Sequence, residues 1–336
     1  MNRILIRGTN WLGDAVMTLP AIRAVRARFP EAHLAVLARP WVAGLYARES
    51  AINETIEEGT SWRARLLVAR ALRRRSFDAV ILLTNSFATA LTARASGIPR
   101  RIGYDRHGRR LLLTEAIAPP KAVPHETIYY LELLRRAGIV DSVEDPRPVL
   151  LDRVAEARAE GERLLGLLGI STPVLGVSPG AQNSRAKQWP PQRFVEAAAA
   201  VASARGWTVV VFGSAGERPL CAGVAAELRR RGVPVMSVAG ETTLEGFVNL
   251  AAACRVFLTN DSGAMHVASA LGVPTVAVFG PTDFRATAPA GPRARIVREP
   301  ADCAPCLLRD CPTDHRCMLG VTPERVARAA IELVDN

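Results

Sequence analysis

Nowhere in its 336 residues does the chain approach the ~18 consecutive apolar residues that a membrane-crossing helix requires. The opening Met1-Asn-Arg-Ile-Leu-Ile-Arg7 is too short an apolar run for a secretory signal, and Asp14 interrupts the next apolar stretch. A GxGxxG fingerprint is missing, which counts against a standard NAD enzyme. The GxxxxG loop from Gly8 to Gly13 lacks the following GK[ST], so it is no Walker site. Aromatic residues are only 5% of the chain, and no basic patch is interleaved with them. Without a zinc finger or an RNA-binding signature either, nucleic acid is not an expected partner. Only one CxxC pair occurs, where structural zinc sites more often pair two.

What is present reads as ordinary globular protein, with 49% apolar and 22% charged residues. The length suits two domains, each able to bury its own core. The formal charge of +11 is mostly arginine scattered over helices, a balance that favours an anionic membrane face or an acidic substrate. The expectation is a cytoplasmic protein, peripheral to the membrane.

Strand-like and helix-like stretches alternate throughout. Arg3 to Arg7 reads as a strand, Ala15 to Phe29 as a helix ended by Pro30, and His33 to Ala38 as a second strand. This opening βαβ unit implies a parallel sheet. A helix over Ala64 to Arg75, a strand over Asp78 to Leu83 and helices over Ser86 to Ser96 and His125 to Ala137 continue it. Between the last two, arginines cluster around Gly103-Tyr104. Val140 to Pro148 is the candidate linker, after which the alternation restarts. The expected division is 1–150, 151–320 and a closing segment 321–336, whose helix is expected to pack back on the first domain. The fold class is α/β, two doubly wound units facing one another across a cleft.

Val256 to Leu271 holds the most informative motif. Val256-Phe-Leu reads as a buried strand and Ala264 to Leu271 as a helix of small residues, joined by Thr259-Asn-Asp-Ser-Gly263. Asp261 or Ser262 suits the helix cap, and Gly263 permits close approach of a ligand to the backbone. Free N–H groups and the positive dipole end favour a phosphate there, with His266 in the first turn. Lys187, in the long polar loop Ser178 to Pro190, should share this sheet edge, where a cation can neutralise a leaving phosphate. Glu245, early in its helix, either favours the helix dipole or accepts hydrogen bonds from a ribose diol. Asp14, between a glycine turn and the first helix, is either a cap or a general base toward a hydroxyl.

Cys221 and Cys254 read as core thiols. Cys303, Cys306, Cys311 and Cys317, with His315 among them, offer enough soft ligands for zinc or an iron–sulfur cluster. Reduced thiols in an irregular loop are the other reading, and no metal is assigned.

Together, Trp11-Leu-Gly-Asp-Ala-Val-Met-Thr-Leu-Pro20, Pro179-Gly-Ala-Gln182 leading to Lys187-Gln-Trp-Pro190, Phe212-Gly-Ser214, Ala239-Gly-Glu-Thr242 and Thr259-Asn-Asp-Ser-Gly263 with His266 resemble glycosyltransferase family 9. These are the bacterial heptosyltransferases of lipopolysaccharide core assembly, and the resemblance spans essentially the whole chain, most like its heptosyltransferase II branch. It implies a GT-B architecture, acceptor in the first Rossmann-like domain and nucleotide sugar in the second. It implies an inverting transfer of heptose from ADP-heptose to the lipopolysaccharide inner core at the cytoplasmic face of the inner membrane, with no cofactor. By motif, Asp14 is the base and Lys187 stabilises the departing ADP. Glu245 holds the adenosine ribose, while Asp261, Ser262, Gly263 and His266 line the diphosphate and sugar. Asp261, which would repel phosphate, is expected to bond sugar hydroxyls or cap the helix. Asn10, Trp11, Asn85, Arg100 and Arg101 are the expected acceptor contacts. Other acceptor or sugar specificity within the family, or a non-catalytic sugar-nucleotide binding protein, are the alternatives.

Overall fold

The computed structural model describes residues 1–182 and 184–335. They form two compact units, Met1–Asp152 and Arg153–Asn336. The first runs β1 (Arg3–Arg7), α1 (Leu12–Arg28), β2 (His33–Ala38), α2 (Pro40–Tyr46), β3 (Glu54–Glu57), α3 (Trp62–Arg73), β4 (Ala79–Leu82) and α4 (Phe87–Ala95). It closes with β5 (Arg100–Tyr104), a 3-10 turn (Arg110–Leu112), β6 (Glu115–Ile117) and α5 (Glu126–Arg136). The second unit begins α6 (Val154–Leu167), β7 (Val174–Ser178), a 3-10 turn (Arg185–Lys187), α7 (Pro191–Arg205), β8 (Thr208–Val211), α8 (Arg218–Arg230), β9 (Val235–Ser237) and α9 (Leu244–Ala252). It continues with β10 (Val256–Asn260), α10 (Gly263–Ala270), β11 (Thr275–Phe279), α11 (Phe284–Thr287), β12 (Ala294–Arg298), α12 (Arg316–Leu319) and α13 (Pro323–Asp335).

Each unit holds one six-stranded parallel sheet, in the orders β3-β2-β1-β4-β5-β6 and β12-β11-β10-β7-β8-β9. Strands buried on both faces need continuous apolar runs. Ile4-Leu5-Ile6 and Val256-Phe257-Leu258 supply them, each residue at most 1% exposed. In both sheets the chain reverses its direction of travel once, between β1 and β4 and between β7 and β10. Loops leaving the strand ends on either side of such a reversal diverge onto opposite faces, and the crevice between them is where open α/β sheets take ligands. Register places Arg7 beside Leu82 and Thr259 beside Ser178, so the paired loops leave from one edge.

The structure departs from the sequence reading at several places. Helix α1 starts at Leu12, with extended Trp11 as its N-cap, so Asp14 lies within the first turn rather than at the cap. A carboxylate there still complements the helix dipole. The short α2, β3, β5, β6 and β12 lacked a legible period, being three to seven residues long and partly polar. The closing helix α13 packs on α7 and on β10, β11 and β12 of its own unit. Its buried Val326, Ala327, Ala329 and Ala330 join the core that contains Trp189 and Phe194. Residues just beyond the expected linker stay tied to the first unit, since Asp152 accepts hydrogen bonds from the Ser50 N–H at 2.8 Å and from Arg23 at 3.3 Å.

Helices α6 and α9 pack so closely that a Cβ on Gly161 would lie 1.9 Å from the carbonyl oxygen of Asn249. Gly161→Ala therefore forces two helices apart, although alanine in an unconstrained helix gains ~1 kcal/mol over glycine. We expect a net loss of about 1–3 kcal/mol in urea unfolding, the usual range for overpacking. Unchanged or increased stability would contradict this packing.

Candidate active site

In the second unit the loop after β7 and the turn after β10 are joined by direct contacts. Lys187 Nζ lies 2.8 Å from Asp261 Oδ2, and Thr282, in the loop after β11, donates its hydroxyl to the same oxygen at 2.7 Å. Asp261 is 4% exposed. Its carboxylate thus does not cap the helix, whose N-cap is Ser262. It is committed to Lys187 and Thr282, which also cancels the repulsion it would exert on a phosphate. The ammonium has three donors, so pairing with Asp261 leaves others for a bound anion.

Asn260 fixes the loop that carries Lys187. Its amide donates to the carbonyls of Pro179 at 2.7 Å and Gly180 at 3.3 Å, and its Oδ1 accepts from the Trp189 N–H at 3.0 Å. One buried side chain thereby pins both ends of the polar loop. From the other side, the segment bearing the cysteines braces it. Ala186 N–H donates to the Arg309 carbonyl, His315 Nε2 lies 2.7 Å from the Ala186 carbonyl, and Arg185 pairs with Asp310 at 2.6 Å. Leu307 N–H bonds the carbonyl of Pro281, next to Thr282. The cysteine segment therefore supports the loop that carries Lys187 and the loop that carries Thr282. Among the described residues, no group of three or more His, Cys, Asp or Glu is arranged to hold a metal ion.

Helix α10 presents its start to the same edge. Ser262 occupies the N-cap with extended backbone (φ −148°, ψ 171°) and makes no side-chain cap. Its hydroxyl instead lies 3.2 Å from that of Thr259. The first N–H groups, beginning at half-buried Gly263, are thus not capped by that side chain, the condition for anion binding at a helix start. His266 lies in the first turn of this helix and is 4% exposed. Beyond β8, the Glu217 carboxylate accepts from Ser214 N–H at 2.8 Å and lies against Gly180, where a Cβ would meet it at 2.0 Å. Glu245 stands exposed in the first turn of α9, after β9, on the same edge.

In the first unit Asp14, after β1, and Asn85, after β4, flank the point where strand order reverses. Asp14 faces the start of α5, which packs on α1. There the Glu126 carboxyl is pushed above its ordinary range, chiefly by burial and then by the charge of Asp14, with Arg106 opposing. Asn85 donates to the Tyr129 hydroxyl at 3.0 Å and accepts from Arg109 at 3.3 Å. Arg109 is fully buried, donates to the carbonyls of Tyr104 and Thr84, and is lowered by burial to about 10. Asn10 accepts from Arg7 at 3.0 Å and Arg39 at 3.3 Å, two guanidiniums that share buried Glu58. Trp41 donates to its carbonyl at 2.8 Å, and Trp11 beside it is exposed.

Arg100 and Arg101 are not brought to this edge. They open β5, at the opposite end of the sheet from Asp14 and Asn85. Arg100 pairs with Glu115, and Arg101 donates to the carbonyls of Leu112 and Ile98. β5 was not legible in the sequence, and its direction separates the cluster into two ends. The members at the Asp14 edge are Arg106 and Arg109, which belong to the same arginine cluster but were not among the expected acceptor contacts. Glu126, Asn260 and Thr282 were missed as well. Asn260 sits inside the motif already chosen. One further signal was available: of 43 basic residues only Lys121 and Lys187 are lysine. A position that keeps an ammonium in an arginine-rich chain is a marked one.

Two doubly wound parallel sheets, with an anion-ready helix start and a paired lysine at one reversal and a carboxylate at the other, define a sugar-nucleotide transferase of the GT-B kind. Comparison with known proteins agrees. The family model described as glycosyltransferase family 9 (heptosyltransferase) matches residues 65–316. Lipopolysaccharide heptosyltransferase 2 of Escherichia coli K12 is 32% identical over 335 residues, covering 96% of each chain. The solved structure of E. coli ADP-heptose LPS heptosyltransferase II superposes with a TM-score of 0.84 at 30% identity, over 99% of this chain and 98% of that one. A glycosyltransferase family 9 structure from Veillonella parvula gives 0.85 at 21% identity over 99% and 97%, a likeness of fold. The chain belongs to glycosyltransferase family 9 and is a glycosyltransferase.

Replacing Asn260 with alanine strands the Trp189 N–H and the Pro179 carbonyl. The expected cost is about 1–3 kcal/mol for the unsatisfied groups, and about tenfold weaker ADP binding as Lys187 loses its fixed loop. Calorimetric titration with ADP alongside thermal melting reads both. Full ADP affinity in the variant would separate Asn260 from the site.

Proposed function

We propose that the protein moves L-glycero-D-manno-heptose from ADP-heptose to the first heptose of the lipopolysaccharide inner core, with inversion at the anomeric carbon. It works peripherally at the cytoplasmic face of the inner membrane, where a lipid-anchored acceptor is found. The observation that carries this reading is the Lys187–Asp261 pair beside the open start of α10, in a chain similar throughout to proteins named for that transfer. No helix among the described residues is long and apolar enough to cross a membrane.

In this reading Asp14 takes the proton from the acceptor hydroxyl as its oxygen attacks the anomeric carbon. The bond between that carbon and the β-phosphate oxygen breaks, and its electron pair leaves with ADP. Lys187 and the N–H groups at Ser262 and Gly263 stabilise the charge that develops on the diphosphate. His266 lines the same start of the helix, and Glu245 takes the ribose diol. Asp261 orients Lys187 instead of touching the sugar. On the acceptor side Asn10, Trp11 and Asn85 supply the polar and stacking contacts, with Arg106 near the acceptor's anionic groups. The base belongs to the first unit and the leaving-group cation to the second.

Incubation with ADP-heptose and core oligosaccharides carrying zero, one or two heptoses tests the assignment by product mass and ADP release. Gain of one heptose only on the one-heptose acceptor is expected. Transfer to the heptose-free acceptor would reassign the chain to first-heptose addition, and ADP binding without any transfer would favour a binding protein. Asp14→Asn should lower kcat by about 10²–10⁴, the usual worth of a general base, with ADP affinity kept. Glu126→Gln removes a negative neighbour that opposes ionisation of Asp14, so the acid limb of the rate profile should move to lower pH. A limb that stays in place, or moves up, would dissociate Glu126 from the base.

A further inference from the structure

Among the described residues, the exposed large aromatics are Trp11, Trp41, Trp62 and Phe87, all in the first unit. Each stands at or near the start of the helix that follows one of the strands β1 to β4. They therefore gather at the strand-end edge that also carries Asp14 and Asn85. Leu111, 88% exposed in the 3-10 turn after β5, extends the row. In the second unit Trp189 and Trp207 are buried instead. The row is thus a property of one unit's edge and not of the whole surface.

The layer formed by α3, α4 and the 3-10 turn carries most of it. α3 packs on α4, and α4 on the turn. Their inner sides, Leu72, Ala90, Ala93 and Leu113 among them, cover one face of the first sheet. Their outer sides are not the polar surface that an amphipathic helix usually turns to water. Trp62 is 70% exposed and Leu67 63%, with Leu66, Phe87 and Leu91 also exposed. Trp62, Leu66 and Arg70 follow one another at i, i+4 spacing along the outward ridge of α3, and Arg73 and Arg74 stand exposed at its other end. Arg63 and Arg65 flank Trp62 in the first turn, so the apolar ridge of Trp62, Leu66 and Leu67 has arginine at both ends.

Charge follows the same division. The first unit has 23 Lys and Arg against 15 Asp and Glu, the second 20 against 17. No acidic residue occurs between Glu58 and Asp78 or between Asp78 and Asp105, the stretch that builds α3 and α4. An exposed apolar ridge ringed by arginine and free of acid in its own sequence complements an anionic lipid surface. Tryptophan and leucine favour the headgroup boundary, and long guanidinium side chains reach back to phosphates.

We propose that the outer face of α3 and α4, with Leu111, seats the first unit on an anionic phospholipid leaflet, placing the edge that holds Asp14 beside the membrane surface. The proposal takes from the proposed reaction that the acceptor is anchored in lipid, and it names the surface that brings the enzyme to it. Each arginine near an anionic leaflet adds about fivefold to binding, so three together are worth about a hundredfold.

Flotation of the full chain with vesicles of phosphatidylethanolamine and phosphatidylglycerol, against vesicles of phosphatidylcholine alone, tests it. Binding to the anionic vesicles, weakened by salt, is expected. Arg70→Gln with Arg73→Gln and Arg74→Gln should weaken it about a hundredfold. Trp62→Ser with Leu66→Ser and Leu67→Ser should weaken it at least tenfold. Both variants alter exposed side chains, so circular dichroism and turnover on the soluble one-heptose oligosaccharide should be unchanged. Equal binding to both vesicle types, or anionic binding that survives both sets of substitutions, would overturn the proposal. A concentration-dependent dimer that the serine variant dissolves, with no vesicle binding, would assign the face to a second copy of the chain instead. Vesicle binding is read without substrate, so a protein that floats but transfers no heptose would count against the reaction and leave the surface standing.

Discussion

The ion pair between Lys187 and Asp261 is the constraint on which the second unit is arranged. Parallel pairing of β7 and β10 brings their loops to one edge, but loops at one edge need not touch. Here a nearly buried carboxylate makes them touch, because leaving Asp261 unpaired at that depth would be strongly unfavourable. Asn260, the residue before it, secures the ends of the lysine loop, and Thr282 adds the neighbouring loop after β11. Three consecutive strands are thus tied around one cation. The open start of α10 lies in the same turn, so the helix start and the paired ammonium are held together by the fold itself.

The first unit solves the corresponding problem differently. Its reversal between β1 and β4 is lined by buried guanidiniums rather than by one ion pair. Arg7 and Arg39 share Glu58 and both hold Asn10, and Arg109 holds Asn85 through neutral acceptors. Burial lowers the affinity of Arg109 for its proton, yet at about 10 it remains charged at neutral pH. Positive charge is thus fixed beneath two carboxamides, while Asp14 and Glu126 set two carboxyl groups against each other between α1 and α5. The exposed aromatic and arginine face of the same unit extends this polarity outward.

Much of this was legible in the sequence, for identifiable reasons. Arg3–Arg7 and His33–Ala38 are short, but each is a mostly apolar run, and both strands fall where the sequence places them. The strand–turn–helix at Asp261 was readable because a buried apolar run met a polar turn and then small residues. What composition could not supply was direction and partnership. Without β5, the arginines from Arg100 to Arg110 looked like one cluster, although the strand sends Arg100 and Arg101 to one edge and Arg106 and Arg109 to the other. Asp261 looked like a cap or a sugar ligand because its partner, Lys187, is 74 positions away in sequence. Helix α13 looked free to return to the first unit, and only the alanine-lined groove beside α7 shows where its apolar face fits.

The central claim is a single displacement, with Asp14 taking the proton at one end and Lys187 receiving the charge of the departing ADP at the other. Its most direct test is the anomeric configuration of the new linkage, read by NMR from the one-bond carbon–hydrogen coupling at the transferred heptose. Starting from β-configured ADP-heptose, the account predicts an α-linked product. A β-linked product would mean two displacements or a different reacting face, and would contradict the roles given to both residues.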